Sequence, residues 1–208
     1  MRISQGKKVA ILIFLLLITD QIVKIWIKTN MTIGESIPVF GNWFQIYFIE
    51  NNGMAFGMQF GGGLGKLLLT LFRLVLIGFI IRFLLKLIKN GAPSGVLYGV
   101  TLILVGALGN VIDSLFYGLI FSESTFTQLA VLFPEGGGYA PLFHGKVVDM
   151  LYFPIIDTTL PDWVPFKGGD NFIFFRPIFN IADSCITIGV VYLLLFKRHF
   201  FETEKPSV

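Results

Sequence analysis

The sequence of 208 residues is 54% hydrophobic and only 14% charged, and its apolar residues come in long runs. This composition excludes an ordinary soluble domain and indicates a membrane protein with room for about four spans. The net charge of +3 is small, so no nucleic-acid partner is expected. The one cysteine, Cys185, has no partner for a disulfide within the chain, and its apolar surroundings favour a packing role.

The first span is predicted over residues 9–28, after a short basic segment. No small-residue cleavage site follows the apolar run, so an uncleaved span is favoured over a signal peptide. The basic flank predicts that the N-terminus lies in the cytoplasm. Asp20 and Lys24 lie four residues apart on one face of this span, where each partly neutralises the other. They could form a structural ion pair or support a functional site.

Residues 29–64 are predicted to form a periplasmic region. Aromatic and β-branched residues between glycines and prolines predict short strands over residues 38–49. The second span, residues 66–88, ends in a basic cluster and a turn at Asn90–Pro93, which places that turn in the cytoplasm. Arg73 lies within this span, and either snorkelling to the outer interface or packing against a polar stripe would accommodate it.

The third span, residues 96–117, and the fourth, residues 177–197, are joined by a periplasmic connection, residues 118–176. This connection is too varied in composition for simple disorder and has no span of its own. It contains His144, one of two histidines in the chain. With no second His or Cys nearby, His144 is interpreted as a solvated loop residue, and no metal site is expected.

Two pairs of polar residues lie at matching positions in the third and fourth spans. Asn110 and Asp113 are three residues apart, as are Asn180 and Asp183. Because the two spans run in opposite directions, both pairs are predicted at the outer side of the membrane. Thr187 continues the polar stripe of the fourth span. A carboxylate costs about 2.5–3.5 kcal/mol at mid-helix, so Asp183 is expected to face protein or water and to have a function.

Carboxylates are the candidate catalytic groups. Two that lie close share one proton, so one member can activate water while the other protonates a leaving amide. No histidine is placed to activate Ser184 or Cys185, and the His-Glu-x-x-His motif of metalloproteases is absent. A small transporter that binds a cation at its outer carboxylates remains an alternative, although the chain lacks the internal similarity typical of transporters. Four carboxylates can lie at the outer boundary: Asp20, Asp113, Asp149 and Asp183.

Five short motifs follow one another along the chain: Asp20-x-x-x-Lys24, Asn51-x-Gly53-x-Ala55-Phe56, Gly109-Asn110-x-x-Asp113, Val147-Val148-Asp149 and Phe179-Asn180-x-Ala182-Asp183-Ser184. Together they resemble the motifs of the lipoprotein signal peptidases, or signal peptidase II, over nearly the whole chain. The resemblance implies a bacterial inner-membrane aspartyl endopeptidase that cuts just N-terminal to the diacylglyceryl-modified cysteine of a prolipoprotein. It also implies four transmembrane helices with a periplasmic β-cradle in one membrane-embedded domain, contact with membrane lipid, and no cofactor.

The resemblance further implies roles for single residues. Asp149 and Asp183 would form the catalytic dyad, although by spacing alone Asp113 is as good a candidate as Asp149. Asn51 and Gly53 would hold the substrate backbone. The other residues implied to shape or support the site are Asp20, Lys24, Asn110, Asp113, Asn180 and Ala182.

Two features depart from the family pattern. The family usually has an arginine directly after the position of Asp113, where this chain has Ser114. Arg176, just before the fourth span, is our candidate for the replacing cation. The family also joins this motif to Val147-Val148-Asp149 by a short connection, whereas this chain has an insertion at residues 119–143. The insertion could add a periplasmic lid or a partner surface.

Overall fold

Three long apolar helices dominate the structure, a computed structural model that describes residues 3–53 and 62–203. Each is long and apolar enough to cross a membrane, by length and composition. Helix α1 is Gln5–Asn30, and α2 is Gly62–Lys89. Helix α3, Ser94–Ile112, continues through a π-helical turn, Asp113–Tyr117, into the short α4, Gly118–Ile120. These helices cover the first three predicted spans.

A fourth apolar helix, α5, runs from Ile181 to Phe196 and is followed by α6, Arg198–Thr203. It is shorter than the other three and begins four residues after the predicted start at 177. The residues before it, Ile178–Phe179, form a β-strand instead of a helical turn. Helices α1 and α3 end at the side of the bundle that carries the sheet, and α2 and α5 begin there.

Helix α3 is the centre of the bundle, because most of it is buried whereas α1 and α2 expose most of their apolar side chains. Its contacts with α5 depend on glycine. The side chain of Leu193 fills the space where Gly99 lacks a side chain, and the α5 backbone at Ala182 lies directly against Gly106. Small residues let helix backbones approach closely in a membrane, where apolar burial alone gives little drive for association. The glycines therefore fix how α5 docks on α3.

Substituting Gly106 by alanine is expected to lower the melting temperature in detergent. A Cβ atom at this position would collide with the carbonyl oxygen of Ala182 and with Ile186. Overpacking of this kind costs about 1–3 kcal/mol. Gly78→Ala in α2 is the control, since a Cβ atom there meets nothing within 4 Å. An equal response of the two variants would contradict this account of the contact between α3 and α5.

A four-stranded antiparallel sheet lies at the end of the bundle where α1 and α3 finish. Its strands are β1, Ser36–Phe40; β2, Phe44–Asn51; β3, Val147–Tyr152; and β6, Ile178–Phe179, and they are ordered β1-β2-β3-β6. The first two agree with the strands predicted around residues 38–49. Ile49 of β2 pairs with Asp149 of β3, and Leu151 of β3 pairs with Phe179 of β6. The last pairing brings the start of α5 beside Asp149.

A separate hairpin, β4 (Ile156–Thr159) with β5 (Asn171–Phe174), lies in the connection between β3 and β6. Its strands are largely exposed, and so are Trp163 and Phe166 in the loop between them. The hairpin thus contributes little to the buried interior of the protein.

The insertion at 119–143 is folded against the end of α1 and against the sheet. Phe121 forms an isolated bridge with Leu132, and the amide of Ala130 donates to the carbonyl oxygen of Lys28. The Lys28 ammonium forms an ion pair with Glu50 of β2 and donates to Ser124 Oγ at 2.7 Å. Lys28 is completely buried, so this polar contact joins α1, β2 and the insertion in the interior.

Candidate active site

A cavity of about 640 Å³ opens where the sheet meets the ends of α3 and α5. It is the place where the sequence-predicted residues converge, because both candidate aspartates line it. Gly53 and several further residues with polar or charged side chains line the same cavity: Glu50, Asn51, Arg73, Asn110 and Arg176. The two candidate aspartates therefore share one space with a third acid and with amide donors, beside apolar surface from Ile49, Ile178 and Phe179.

Asp183 is held by the start of α5 and by α3. Asn180 is the N-cap of α5, and its side-chain oxygen accepts a hydrogen bond from the amide of Asp183 at 2.8 Å. The Asp183 carboxylate accepts in return from the amide of Asn180 at 3.4 Å, which completes a capping box. Asn110 Nδ2 donates to Asp183 Oδ1 at 2.7 Å. The predicted stripe of Asn180 and Asp183 is thus a helix cap, not a polar face within a helix.

Asp149 lies on β3 and is held by two amide side chains. Asn180 Nδ2 donates to Asp149 Oδ1 at 2.7 Å, and Asn51 Nδ2 donates to the other carboxylate oxygen. Asn51 ends β2, where it pairs with Val147, so the register of β2 and β3 positions its side chain. Asn180 contacts both aspartates, and it also donates to Asn110 Oδ1 at 3.0 Å. Asn180 is therefore the link between the two acids.

Burial and the negative charge of Asp183 raise the pKa of Asp149 from 3.8 to about 7. The positive charge of Lys24 and the hydrogen bonds from Asn180 and Asn51 act in the opposite direction. The Asp149 side chain is almost fully buried, at 3% exposure, whereas Asp183 is half-buried. Near neutral pH Asp149 can therefore still hold a proton, which an ordinary carboxylic acid would have released.

Asp20, Lys24 and Asp113 form a buried ionic cluster directly behind the cavity. Lys24 Nζ lies 2.9 Å from Asp20 Oδ2 and 2.8 Å from Asp113 Oδ2. It also donates to Asn110 Oδ1 at 3.1 Å, which orients the amide that bonds to Asp183. Asp20 and Lys24 thus form an ion pair, and the same ammonium group also contacts a residue that lines the cavity.

The two carboxylates of this cluster tie it to the elements that carry the candidate dyad. Asp20 Oδ1 accepts from the amide of Ala182 at 3.0 Å, in the first turn of α5. Asp113 Oδ2 accepts from the amide of Val148 at 3.3 Å, next to Asp149. Asp113 is completely buried and does not line the cavity. This geometry separates Asp113 from Asp149, which spacing alone left as equal candidates.

The motif around Asn51 is only partly within the described residues, since Ala55 and Phe56 lie outside them. Gly53 has a φ of +88°, a left-handed conformation that favours glycine. Its amide donates to Asn51 Oδ1, so the turn after β2 holds the asparagine that contacts Asp149.

Arg73 is a site residue that the sequence did not assign. Its guanidinium donates to the carbonyl oxygen of Gly53 and faces the cavity, so packing toward polar groups accounts for it better than snorkelling. Arg176, our candidate for the family's missing arginine, also lines the cavity but is exposed. Ser114 is buried and donates to the carbonyl oxygen of Asn110 at 3.0 Å. A sequence signal for Arg73 was its spacing of seven residues from Lys66, which places both cations on one face of α2.

The model of the family described as signal peptidase (SPase) II matches residues 12–199. A protein of Porphyromonas gingivalis named lipoprotein signal peptidase is 54% identical over 195 residues, which cover 93% of this chain and 84% of the relative. A protein of the same name from Amoebophilus asiaticus is 39% identical over 187 residues, or 88% of this chain and 75% of the relative.

Two solved structures, both titled as bacterial membrane enzymes determined by the in meso method, have a similar fold. The one at 2.3 Å resolution has a TM-score of 0.60 and 24% identity, and the match covers 97% of this chain and 94% of that one. The one at 1.9 Å resolution has a TM-score of 0.57 and 26% identity, with 92% and 94% coverage. The arrangement of helices and small sheets described above is therefore one that solved membrane enzymes share.

Proposed function

Because the chain belongs to the signal peptidase II family, we propose that it is the protease that removes the signal peptide of diacylglyceryl-modified prolipoproteins. The observation that carries the proposal is the cavity in which Asp149 and Asp183 meet, each held by amide side chains. Two acids of unequal burial in one cavity have the composition of an aspartyl protease site. The alternative of a small transporter is not supported by the comparisons, which identify signal peptidases.

In the proposed mechanism, Asp183 is the base and Asp149 is the acid. The ionised Asp183 takes a proton from a water molecule, and the water oxygen forms a bond to the scissile carbonyl carbon, whose oxygen becomes negative. Asp149 then gives its proton to the amide nitrogen as the carbon–nitrogen bond breaks. The carbonyl re-forms, and the dyad is left with one proton in total, as at the start. The pKa of about 7 for Asp149 supports this assignment of acid and base.

The proposed orientation has both termini in the cytoplasm and the cavity at the periplasmic side of the inner membrane, with α5 as a fourth span. Its support is the distribution of basic residues, which follows the positive-inside rule. The ends of the helices remote from the sheet carry Lys7 and Lys8, Arg82 to Lys89, and Lys197 with Arg198. The exposed apolar side chains of α1 and α2 would then contact membrane lipid.

A direct test compares two peptides that contain the same lipobox and differ only in the diacylglyceryl group on the cysteine. The protein, purified in detergent or reconstituted in liposomes, is expected to cut the lipidated peptide just before the cysteine and to leave the other intact. Mass spectrometry of the products locates the cut. Equal cleavage of both peptides would contradict the proposed substrate. Asp183-dependent ion flux without cleavage would instead favour transport.

A further inference from the structure

We propose that Arg73 supplies a positive charge to this active site and positions the segment Asn51–Gly53 against the two aspartates. The inference rests on the function proposed above and names a residue that takes the place of the family's arginine, absent at Ser114. It assigns to α2 a part in the site beyond crossing the membrane. Arg73 acts through its neighbours and is a positioning residue, not one that reacts with the substrate.

Three consecutive residues, the last of β2 and the two that follow it, are each held by a different side chain. Asn51 donates to Asp149, and Asn52 Oδ1 accepts from Lys66 Nζ at 3.0 Å. The carbonyl oxygen of Gly53 accepts from Arg73. Because Lys66 and Arg73 are seven residues apart, they lie on the same face of α2. This face therefore holds the last two residues of the segment, while the candidate acid holds the first.

The backbone at Gly53 passes directly against the guanidinium. A Cβ atom at this position would lie 2.6 Å from Arg73 Nη1, and the φ of +88° is one that residues with side chains rarely adopt. Gly53 also donates to Asn51 Oδ1. A shift of the guanidinium would thus pass through Gly53 to Asn51, and from there to the carboxylate of Asp149.

The charge of Arg73 acts on Asp183. Both residues line the cavity, and among the charges that attract the guanidinium that of Asp183 is the strongest. An arginine stays protonated throughout the working pH range, so its positive charge faces the cavity of the two aspartates at every pH of the test. Ser114, in the family's arginine position, is neutral and bonded to Asn110, whereas Arg176 is exposed on the segment before β6. Of the two arginines that line the cavity, Arg73 is the partly buried one.

Other charges lie around the dyad, in the cavity wall or behind it, and each must be kept unchanged in a test of Arg73. They come from every element packed around the cavity: Asp20 and Lys24 on α1, Glu50 on β2, Lys66 on α2, Asp113 at the end of α3, and Arg176 before β6. Substitution at position 73 leaves all of them in place. A change in pH dependence can then be assigned to the guanidinium.

The test measures kcat/KM against pH for the lipidated peptide with Arg73→Met, Arg73→Lys and Arg82→Met. Arg82 lies on the same helix, exposed and remote from the cavity, and its variant should match the wild type. Arg73→Met should lower kcat/KM about 10- to 100-fold, the loss expected for one hydrogen bond from a charged group. It should also move the alkaline limb to higher pH, because the proton of the proposed acid, Asp149, is released less readily once a positive charge is removed from the cavity.

Arg73→Lys keeps the charge but loses the planar group that reaches Gly53. It should therefore keep the alkaline limb of the wild type and have an intermediate kcat/KM. A purely structural role would lower the melting temperature and leave the pH profile unchanged. The inference would be overturned if Arg73→Met had the kcat/KM and the pH profile of the wild type. It would also be overturned if the alkaline limb shifted in Arg176→Met and not in Arg73→Met.

Two further outcomes separate this inference from the proposed function. If Arg73→Met does not fold, Arg73→Lys decides, and a kcat/KM equal to that of the wild type would overturn the inference. Failure of the wild-type protein to cut the lipidated peptide would overturn the proposed function itself. If the wild type cuts the peptide and the Arg73 variants cut it equally well, only the role given to Arg73 would be overturned.

Discussion

Substituting Asp183 or Asp149 by asparagine should abolish cleavage of the lipidated peptide and leave the protein folded. Asparagine has the shape of aspartate but can neither take a proton from water nor give one to the amide nitrogen. General acid–base catalysis contributes about 10²–10⁴-fold, so kcat/KM should fall by at least that factor. Asp157→Asn on the exposed strand β4 is the matched control and should keep wild-type activity. Retained cleavage in either dyad variant would disprove the assignment of that residue.

The stability of the wild type and that of Asp149→Asn should depend differently on pH. The pKa of Asp149 is raised from 3.8 to about 7, so the folded protein keeps a proton that the unfolded chain releases between these values. Where the folded state binds more protons, the free energy of unfolding falls as pH rises. The wild type should therefore lose this contribution between about pH 4 and pH 7, and Asp149→Asn should not. Melting curves recorded at several pH values would reveal the difference.

Substituting Lys24 by methionine should be the most destabilising single change near the site. Lys24 is completely buried and is the cation that faces both Asp20 and Asp113. Its removal leaves two buried carboxylates without a counter-charge, which costs about 3–5 kcal/mol for a broken buried pair. The free energy of unfolding in detergent measures the loss. Cleavage should also decrease, because Lys24 orients Asn110 against Asp183.

The control for Lys24→Met is Lys8→Met, the same substitution at an exposed position of the same helix. It should change stability by less than about 0.5 kcal/mol. Adding Asp113→Asn to Lys24→Met should restore part of the stability, since one of the two uncompensated charges is then gone. Additive destabilisation in the double variant would contradict a shared ionic cluster.

The helices and the family could be predicted from the sequence because their signals are local. Long apolar runs with basic ends fix the position of α1, α2 and α3 within a few residues, and Gly and Pro punctuation predicted the first strands. The five motifs identified the signal peptidase family, which the comparisons confirm. The Asp20–Lys24 contact also followed from spacing alone, since residues four apart meet on one helix face.

The parts that could not be predicted depend on contacts between distant segments. Asp149 lies on a strand, where helical spacing has no bearing, and it meets Asp183 only because β6 pairs with β3. This pairing also shortens the fourth helix and makes Asn180 its cap. Arg73 contacts Gly53, which lies 20 residues away in the sequence. Its spacing with Lys66 therefore indicated a face of α2 but not what that face contacts.

The side chains that hold the two aspartates are amides, and this has a consequence for inhibition. Asn51, Asn110 and Asn180 carry no charge at any pH in the range where carboxylates titrate. Loss or gain of the dyad's proton therefore changes the charge within the cavity while the groups that fix its shape keep their hydrogen bonds. A neutral mimic of the tetrahedral intermediate should find a receptor of constant shape across this range. Any change in the affinity of this mimic with pH would then reflect the change in the number of protons bound to the two aspartates.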